Sequence, residues 1–264
     1  MTDYLRICEK AAREAGYVLL EMQGRVTVAE KGPADLVTPA DLAAQETVRR
    51  ILSEAFPSHG LVGEEDKPGN ALENQPEYFW IVDPLDGTTN YVHGVPHFCV
   101  SLALARGGEL LVGTIFDPNT EKCFSAERGQ GAALNGSRLR TSAVERLAQA
   151  VVAIGFPPVV TPASPDLVTF NAAVVACQSM RRTGSAALNL AYVAAGWFDA
   201  AWAYGCKVWD LAAGTLLIRE AGGRVADMAG QDRPLGHGPY LAAANSKLLA
   251  EAQSLIARSG AKAE

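Results

Sequence analysis

Trp80-Ile81-Val82-Asp83-Pro84-Leu85-Asp86-Gly87-Thr88-Thr89-Asn90 is the most informative stretch of the chain. An aromatic and β-branched run ends on an acid, Pro84 fixes the backbone, and a second acid precedes Gly87, which permits a turn. Two carboxylates three residues apart at the end of a strand can converge on one point, with the Leu85 carbonyl between them. Beyond Gly87, Thr88 and Thr89 have the composition of a helix start, where outward N–H groups favour an anion. The stretch predicts a strand, a turn and a helix N-terminus closing on a charged point. Asp-Pro-x-Asp-Gly is also good turn chemistry with nothing bound, so alone it decides only the local shape.

Two further apolar runs lead into acids. Leu61-Val62-Gly63 runs into Glu64-Glu65-Asp66, followed by a polar loop over Lys67–Gln75. An acidic triplet of this kind is most often a solvated loop. Val208-Trp209-Asp210-Leu211-Ala212-Ala213-Gly214 carries the third acid, and on spacing alone Asp210 N-caps a helix. Together the acids suggest oxygen-only ligation, which suits Mg2+ or Mn2+, whereas zinc calls for His or Cys. His59, His93, His97 and His237 form no H-E-x-x-H and read as structural or supporting groups. No G-x-S-x-G elbow is present. Gly129-Gln130-Gly131-Ala132-Ala133-Leu134 only partly matches a dinucleotide loop, with Leu134 in place of the third small residue.

Outward from these motifs, apolar spacing predicts a helix over Tyr4–Met22, a short strand over Arg25–Ala29, and a second helix marked by Leu42, Val48, Ile51, Leu52 and Phe56 and stopped by Pro57. Strand-like runs follow at Gly60–Gly63, Tyr78–Val82, Phe98–Ala105, Leu110–Phe116 and Lys122–Ser125, read as antiparallel sheet. The second half predicts strands at Val151–Ile154, Phe198–Ala203, Arg224–Ala226 and Tyr240–Ala243. Helices are predicted at Leu167–Ser179, Ala186–Ala195 and Leu211–Ala221, with a last one capped by Ser246 and running to Arg258. The class is mixed α+β, helix layered on sheet. A seam near Ser142–Gln149 divides residues 1–145 from residues 146–264. Glu64, Asp83 and Asp86 precede it and Asp210 follows, so the halves must share one site.

The 264 residues are 48% apolar and 20% charged, as in soluble globular proteins. A net charge of −6 disfavours nucleic-acid and membrane-surface partners. The cysteines, Cys8, Cys99, Cys123, Cys177 and Cys206, are odd in number without a C-x-x-C, the usage of a reducing compartment. The N-terminus lacks the apolar run of a signal peptide. The uncharged stretch Leu147–Pro165 is broken by Pro157, Pro158 and Pro162, so it cannot span a bilayer as a helix. A soluble, cytoplasmic protein is expected.

Gly63-Glu64-Glu65, Asp83 through Asn90, and Trp209 through Gly214, in this order, resemble the inositol monophosphatase family of Mg2+-dependent, lithium-sensitive phosphomonoesterases. Lys31-Gly32, Asp35-Leu36-Val37-Thr38 and Asp41 upstream match as well, as do Gly184-Ser185-Ala186-Ala187-Leu188-Asn189 and Glu220-Ala221-Gly222-Gly223 downstream. The resemblance covers nearly the whole chain. It implies a layered αβαβα sandwich of the sugar-phosphatase type, a homodimer, and hydrolysis of a sugar or polyol monophosphate, most simply inositol 1-phosphate. Two or three Mg2+ ions per site are implied, Mn2+ being an alternative. Glu64, Asp83 and the Leu85 carbonyl would hold the first, and Asp83, Asp86 and Asp210 the second, the position where Li+ inhibits. A third would be held mostly by water beside Glu64. The amides of Gly87 and Thr88 would bind phosphate, and Asp41, Thr88 and Glu64 would act on the attacking water. Ser185, Ala186, Ala203 and Lys207 would line the substrate.

One departure stands out. Inositol-preferring relatives carry a glutamate seven residues before the last metal aspartate, and Ala203 occupies that place here. Lys207 adds a positive charge that faces either a second phosphate or solvent. Fructose 1,6-bisphosphate, a 3′-phosphoadenosine nucleotide and histidinol phosphate are the alternative substrates. A non-catalytic regulator of a protein or RNA is the alternative class, disfavoured by the four acids and the negative charge.

Overall fold

The computed structural model describes residues 3–25, 29–32, 35–66 and 72–261. The helical spacing at the start forms α1 (Asp3–Met22), which buries Leu5, Cys8, Ala11, Ala12, Ala15 and Leu19. A hairpin of β1 (Ala29–Gly32) and β2 (Asp35–Val37) follows, then α2 (Pro39–Ala55). Ala40, Ala44, Val48, Ile51 and Leu52 make its buried face, and Leu42, expected there, is 54% exposed. Most of the strand expected over Arg25–Ala29 lies outside the described residues, as do residues 67–71 of the expected polar loop.

A seven-stranded sheet comes next, its strands in chain order: β3 (Gly60–Gly63), β4 (Tyr78–Asp86), β5 (Cys99–Arg106), β6 (Glu109–Asp117), β7 (Lys122–Glu127), β8 (Gly131–Leu134) and β9 (Ser137–Arg138). The short helix α3 (Thr88–Val92) leaves the end of β4. The expectation of antiparallel pairing throughout fails at one edge, because β3 runs parallel to β4 with Gly63 opposite Val82. Parallel strands require a crossover connection between the end of β3 and the start of β4. The partial dinucleotide motif is the turn before β8 and that strand itself: Gly129 and Gln130 turn, and Gly131–Leu134 pair with β7, Phe124 opposite Leu134.

The second half supplies β10 (Val151–Ile154), α4 (Pro165–Val174), β11 (Ser179–Arg181), α5 (Ala186–Ala194), β12 (Ala200–Ala203), α6 (Val208–Glu220), β13 (Arg224–Ala226), β14 (Tyr240–Ala243) and α7 (Ser246–Ser259). Its sheet has the order β11-β10-β12-β14-β13. The helix expected over Leu167–Ser179 ends at Val174, because Ser179 is taken by a parallel ladder with Val151. The cap of α7 is Asn245, whose Oδ1 accepts from the Leu248 N–H at 3.0 Å, and Ser246 is the first helical residue. Asp210 is not an N-cap either. It sits in the first turn of α6 and accepts from the Lys207 N–H at 2.7 Å.

Alternation along the strands sorts the layers. Trp80, Val82, Val100, Leu102, Leu104 and Phe116 face α1 and α2. Ile81, Ala103, Ile115 and Phe124, on the opposite face, pack on α5 and α6, as a period of two demands. Ala153, Ala201 and Ala242 close that layer from the second sheet, whose outer residues Val152, Trp202 and Leu241 pack with α4 and α7. The result is helix, sheet, helix, sheet, helix. Glycine sets the spacing in the middle: a Cβ on Gly214 of α6 would lie 2.4 Å from Leu190 Cβ of α5. Among the described residues no helix is long and apolar enough to cross a membrane.

Candidate active site

The sheet gathers the acids. Asp83 and Asp86 lie at the end of β4, where the pairing with β5 bulges between them. The parallel neighbour β3 delivers Glu64 to the same end, the Glu64 N–H donating to the Val82 carbonyl at 3.2 Å. Asp210 arrives from the other half on the first turn of α6. Ser101, directly opposite Asp83 in the ladder, fastens that turn by donating from Oγ to the Trp209 carbonyl at 3.0 Å. The charges of Glu64, Asp86 and Asp210 all act on Asp83. Carboxyls gathered this closely favour a shared proton or a cation between them.

Asp86 is held by α5. The Ser185 hydroxyl donates to its Oδ2 at 2.5 Å, the Ala187 N–H to the same oxygen at 2.7 Å, and the Ala186 N–H to Oδ1 at 3.3 Å. Ser185 and Ala186, expected to meet the substrate, therefore spend these groups on Asp86. A second tie joins the segments, because Asn90 Nδ2 donates to the His97 carbonyl at 2.7 Å and to the Thr183 carbonyl at 2.9 Å.

Gly87 precedes α3 with φ +102°, a left-handed conformation, and a Cβ there would lie 3.1 Å from the His97 carbonyl oxygen. Both facts favour glycine. Thr88 Oγ1 donates to the Leu85 carbonyl at 3.1 Å and stands 3.5 Å from Asp41 Oδ1. Asp41 itself is 1% exposed behind Thr88. Its other oxygen takes the Thr38 N–H at 2.8 Å and the Thr38 hydroxyl at 2.7 Å, closing the first turn of α2.

Burial dominates the electrostatics. It pushes the Asp83 carboxyl well above the ordinary carboxylate range, and the charges of Glu64, Asp86 and Asp210 push it further. Asp210 is raised to about 8, first by burial and then by the charge of Asp86. Asp86 is raised by burial, an effect opposed by the donors on α5. Asp41 is raised by burial against the pull of Thr38, with a smaller push from Glu64. Among the described residues no arginine or lysine forms an ion pair with Asp83, Asp86 or Asp210. This oxygen-rich, self-repelling set fits a hard divalent cation. Among the described residues, no three acids, histidines or cysteines are drawn in closely enough to hold an ion as they stand. Asp86 accepts from the α5 amides and Asp210 from the Lys207 N–H, and Asp83 accepts from the Leu85 N–H at 3.0 Å, which leaves each carboxylate lone pairs for an ion.

Two adjoining cavities open on this cluster. One of about 560 Å³ is lined by Asp83, Leu85, Gly87 and Thr88. The other, about 270 Å³, is lined by Ala203, Lys207 and Ser185, and Glu64, Asp86 and Asp210 border both. Two histidines stay apart from the acids: His59 stacks on Phe56 and Tyr78, and His237 Nδ1 accepts from the Val208 N–H at 3.1 Å. His93 lines the larger cavity, and His97 lies near enough to Asp86 for their charges to interact. Ser101, Arg182 and Phe156 are participants that sequence reasoning did not single out, and Asn90 and Thr38 were read there only as motif members without a role. Only Thr38 had a local signal, Thr38-Pro-Ala-Asp41 being a capping pattern.

The model of the inositol monophosphatase family matches residues 1–260. The chain belongs to that family. Over 256 residues it is 43% identical to a Pseudomonas aeruginosa protein called Nus factor SuhB, covering 94% of this chain and 93% of that one. It is also 43% identical over 238 residues to an inositol-1-monophosphatase of Rhizobium meliloti, covering 89% of each. Among solved structures, the extragenic suppressor protein suhB of Bartonella henselae superposes with a TM-score of 0.90 at 37% identity, over 97% of this chain and 98% of that one. An IMPase/NADP phosphatase complexed with Mg2+ and phosphate superposes with a TM-score of 0.84 at 25% identity, over 95% and 94%. The αβαβα layering is thus the fold of this family.

Proposed function

We propose that the protein is a Mg2+-dependent phosphomonoesterase of the cytoplasm that hydrolyses a sugar or polyol monophosphate, inositol 1-phosphate being the simplest substrate, with both halves of the chain contributing to one site. The convergence of Glu64, Asp83, Asp86 and Asp210 on one pair of adjoining cavities carries this reading, because carboxyls so gathered, with no arginine or lysine paired to Asp83, Asp86 or Asp210 among the described residues, suit neighbouring divalent cations. Glu64, Asp83 and the Leu85 carbonyl would hold one ion, and Asp83, Asp86 and Asp210 another. Such ions supply Lewis acidity to a phosphate dianion and a nucleophile at neutral pH.

The chain's own groups do the positioning. The amides of Gly87 and Thr88, at the start of α3 on the wall of the larger cavity, would donate to a phosphate oxygen. The Thr88 hydroxyl, held by the Leu85 carbonyl, orients the attacking water. Asp41, made more basic by burial, takes the proton through Thr88: the single hydroxyl hydrogen passes from Thr88 to Asp41 Oδ1, 3.5 Å away, after turning from the Leu85 carbonyl, while the hydroxyl oxygen accepts the water's proton. Ser185 and the α5 amides keep Asp86 aimed.

Phosphate release from inositol 1-phosphate, fructose 1,6-bisphosphate, 3′-phosphoadenosine 5′-phosphate and histidinol phosphate in Mg2+ tests the proposal. Release should vanish with EDTA, in Asp86→Asn and in Asp210→Asn, and fall with Li+. Near-normal turnover in either variant would remove the metal assignment. The relative named Nus factor SuhB favours a second reading, a regulatory role without turnover, which predicts no release from any of these esters and a shifted band with RNA or a bound protein partner.

A further inference from the structure

The cavity beside the acid cluster carries a feature that phosphate hydrolysis does not explain. Its volume of about 270 Å³ exceeds what a phosphate needs, and its far wall is apolar, built by Ile154, Phe156, Pro157 and Ala203. Ala203 is short where a longer side chain would fill the space, and it packs against Gly155, whose Cβ would lie 2.8 Å away from its own. Two cations stand at the mouth. Arg182 lines both cavities, its guanidinium 5.0 Å from the centre of the Phe156 ring. Lys207 lines the smaller one, directly before the turn that carries Asp210. Both side chains are exposed, and among the described residues neither forms an ion pair.

Some surface arginines pair with carboxylates, as Arg49 does with Asp66 and Arg106 with Glu77, and others face solvent. What sets Arg182 and Lys207 apart is that both line one apolar pocket opening on the acid cluster, where they are placed to meet an anion that is not part of the chain. Phe156 holds the Arg182 guanidinium in place, which lowers the entropy lost on binding. The proline and phenylalanine wall lowers the local dielectric and strengthens the attraction. The scissile phosphate belongs at the acid cluster and the α3 amides, so the anion at the rim is a different group.

We infer that Arg182 and Lys207 recognise a second anionic group, a phosphate or carboxylate, on the leaving group of the substrate. The inference rests on the phosphomonoesterase reading and refines its substrate class: an ester bearing two separated anions is preferred over the equivalent singly charged polyol ester. The missing glutamate at 203 works in the same direction, since a carboxylate there would repel the second anion.

The test compares kcat/KM for matched pairs, fructose 1,6-bisphosphate against fructose 1-phosphate and 3′-phosphoadenosine 5′-phosphate against adenosine 3′-phosphate. The wild type is measured beside Arg182→Gln, Lys207→Gln and the double variant. The ratio within a pair is read because it does not depend on how much protein is folded. We expect the bisphosphate preference to fall about tenfold in each single variant and to weaken with added salt in the wild type. An unchanged ratio, including one in which both substrates suffer equally, would overturn the inference and return the cations to the scissile phosphate or to solvent. If no ester releases phosphate, the phosphomonoesterase reading fails by itself. Calorimetric binding of the same pairs with Ca2+ then decides: tighter bisphosphate binding lost in Arg182→Gln supports the anion site, and equal binding of both members of a pair overturns it.

Discussion

Ser185 does more for Asp86 than any other side chain, since its hydroxyl donates at 2.5 Å while also accepting the Leu188 N–H at 3.1 Å. Ser185→Ala leaves the Ala186 and Ala187 amides in place but frees one side of the carboxylate. Loss of an outer donor of this kind costs about 10- to 100-fold in metal affinity, so the Mg2+ concentration giving half-maximal phosphate release should rise by that order. An unchanged Mg2+ dependence would show that the amides suffice. Proton uptake supplies a second prediction at this scale. Asp210, with its carboxyl raised to about 8, holds a proton at neutral pH that a cation must displace. Adding Mg2+ to EDTA-treated protein in weak buffer at about pH 7 should release protons, and Asp210→Asn should reduce their number. At the residue scale the acids were legible because each follows an apolar run. Their partners Ser101 and Asn90 were not, because a hydroxyl or amide gains its role from a segment remote in sequence: Asn90 reaches Thr183, and Ser101 reaches Trp209.

At the scale of elements, α5 and α6 form the middle layer and approach one another through Gly214. Since a Cβ on Gly214 would fall 2.4 Å from Leu190 Cβ, which is not the movable end of a side chain, Gly214→Ala forces the helices apart. Overpacking of this kind costs about 1–3 kcal/mol, which a denaturant titration reads. Because α6 carries Asp210 and α5 carries the donors to Asp86, Mg2+ affinity should weaken along with stability. Wild-type stability in Gly214→Ala would mean that the layer absorbs the methyl group. Element positions were legible where the hydrophobic period was clean, as in α1, β3, β10, β13 and β14. They were misread where a neighbour competed for the backbone. Ser179 looked helical until β10 offered it a ladder, and Asp210 looked like a cap when its side chain instead reaches back to Lys207. The parallel edge of the first sheet was also hidden, because a strand's residues do not specify the direction of its partner.

For the molecule as a whole, the acid cluster couples folding to pH. Carboxyls raised in the fold bind protons more tightly there than in the unfolded chain, so folding takes up protons between the ordinary value of 3.8 and about 8 for Asp210. The stability contributed by these groups is fully present below that window and is lost as the pH rises through it. With EDTA, the melting temperature should therefore fall from about pH 5 to about pH 8. Mg2+ binds the deprotonated form and stabilises by mass action, so its gain in melting temperature should grow over the same range. A gain that shrinks with pH would contradict the cluster's role. The chain alone determined the presence of the acids, the alternation that makes each sheet two-faced, and the family pattern, because these depend on residue type and local spacing. Only the tertiary structure decided that Glu64, Asp83, Asp86 and Asp210 line one site, that α5 holds Asp86, and that Arg182 and Lys207 flank an apolar cavity. Such juxtapositions depend on which faces pack together, and packing is settled by the burial of the whole layered core rather than by any one segment.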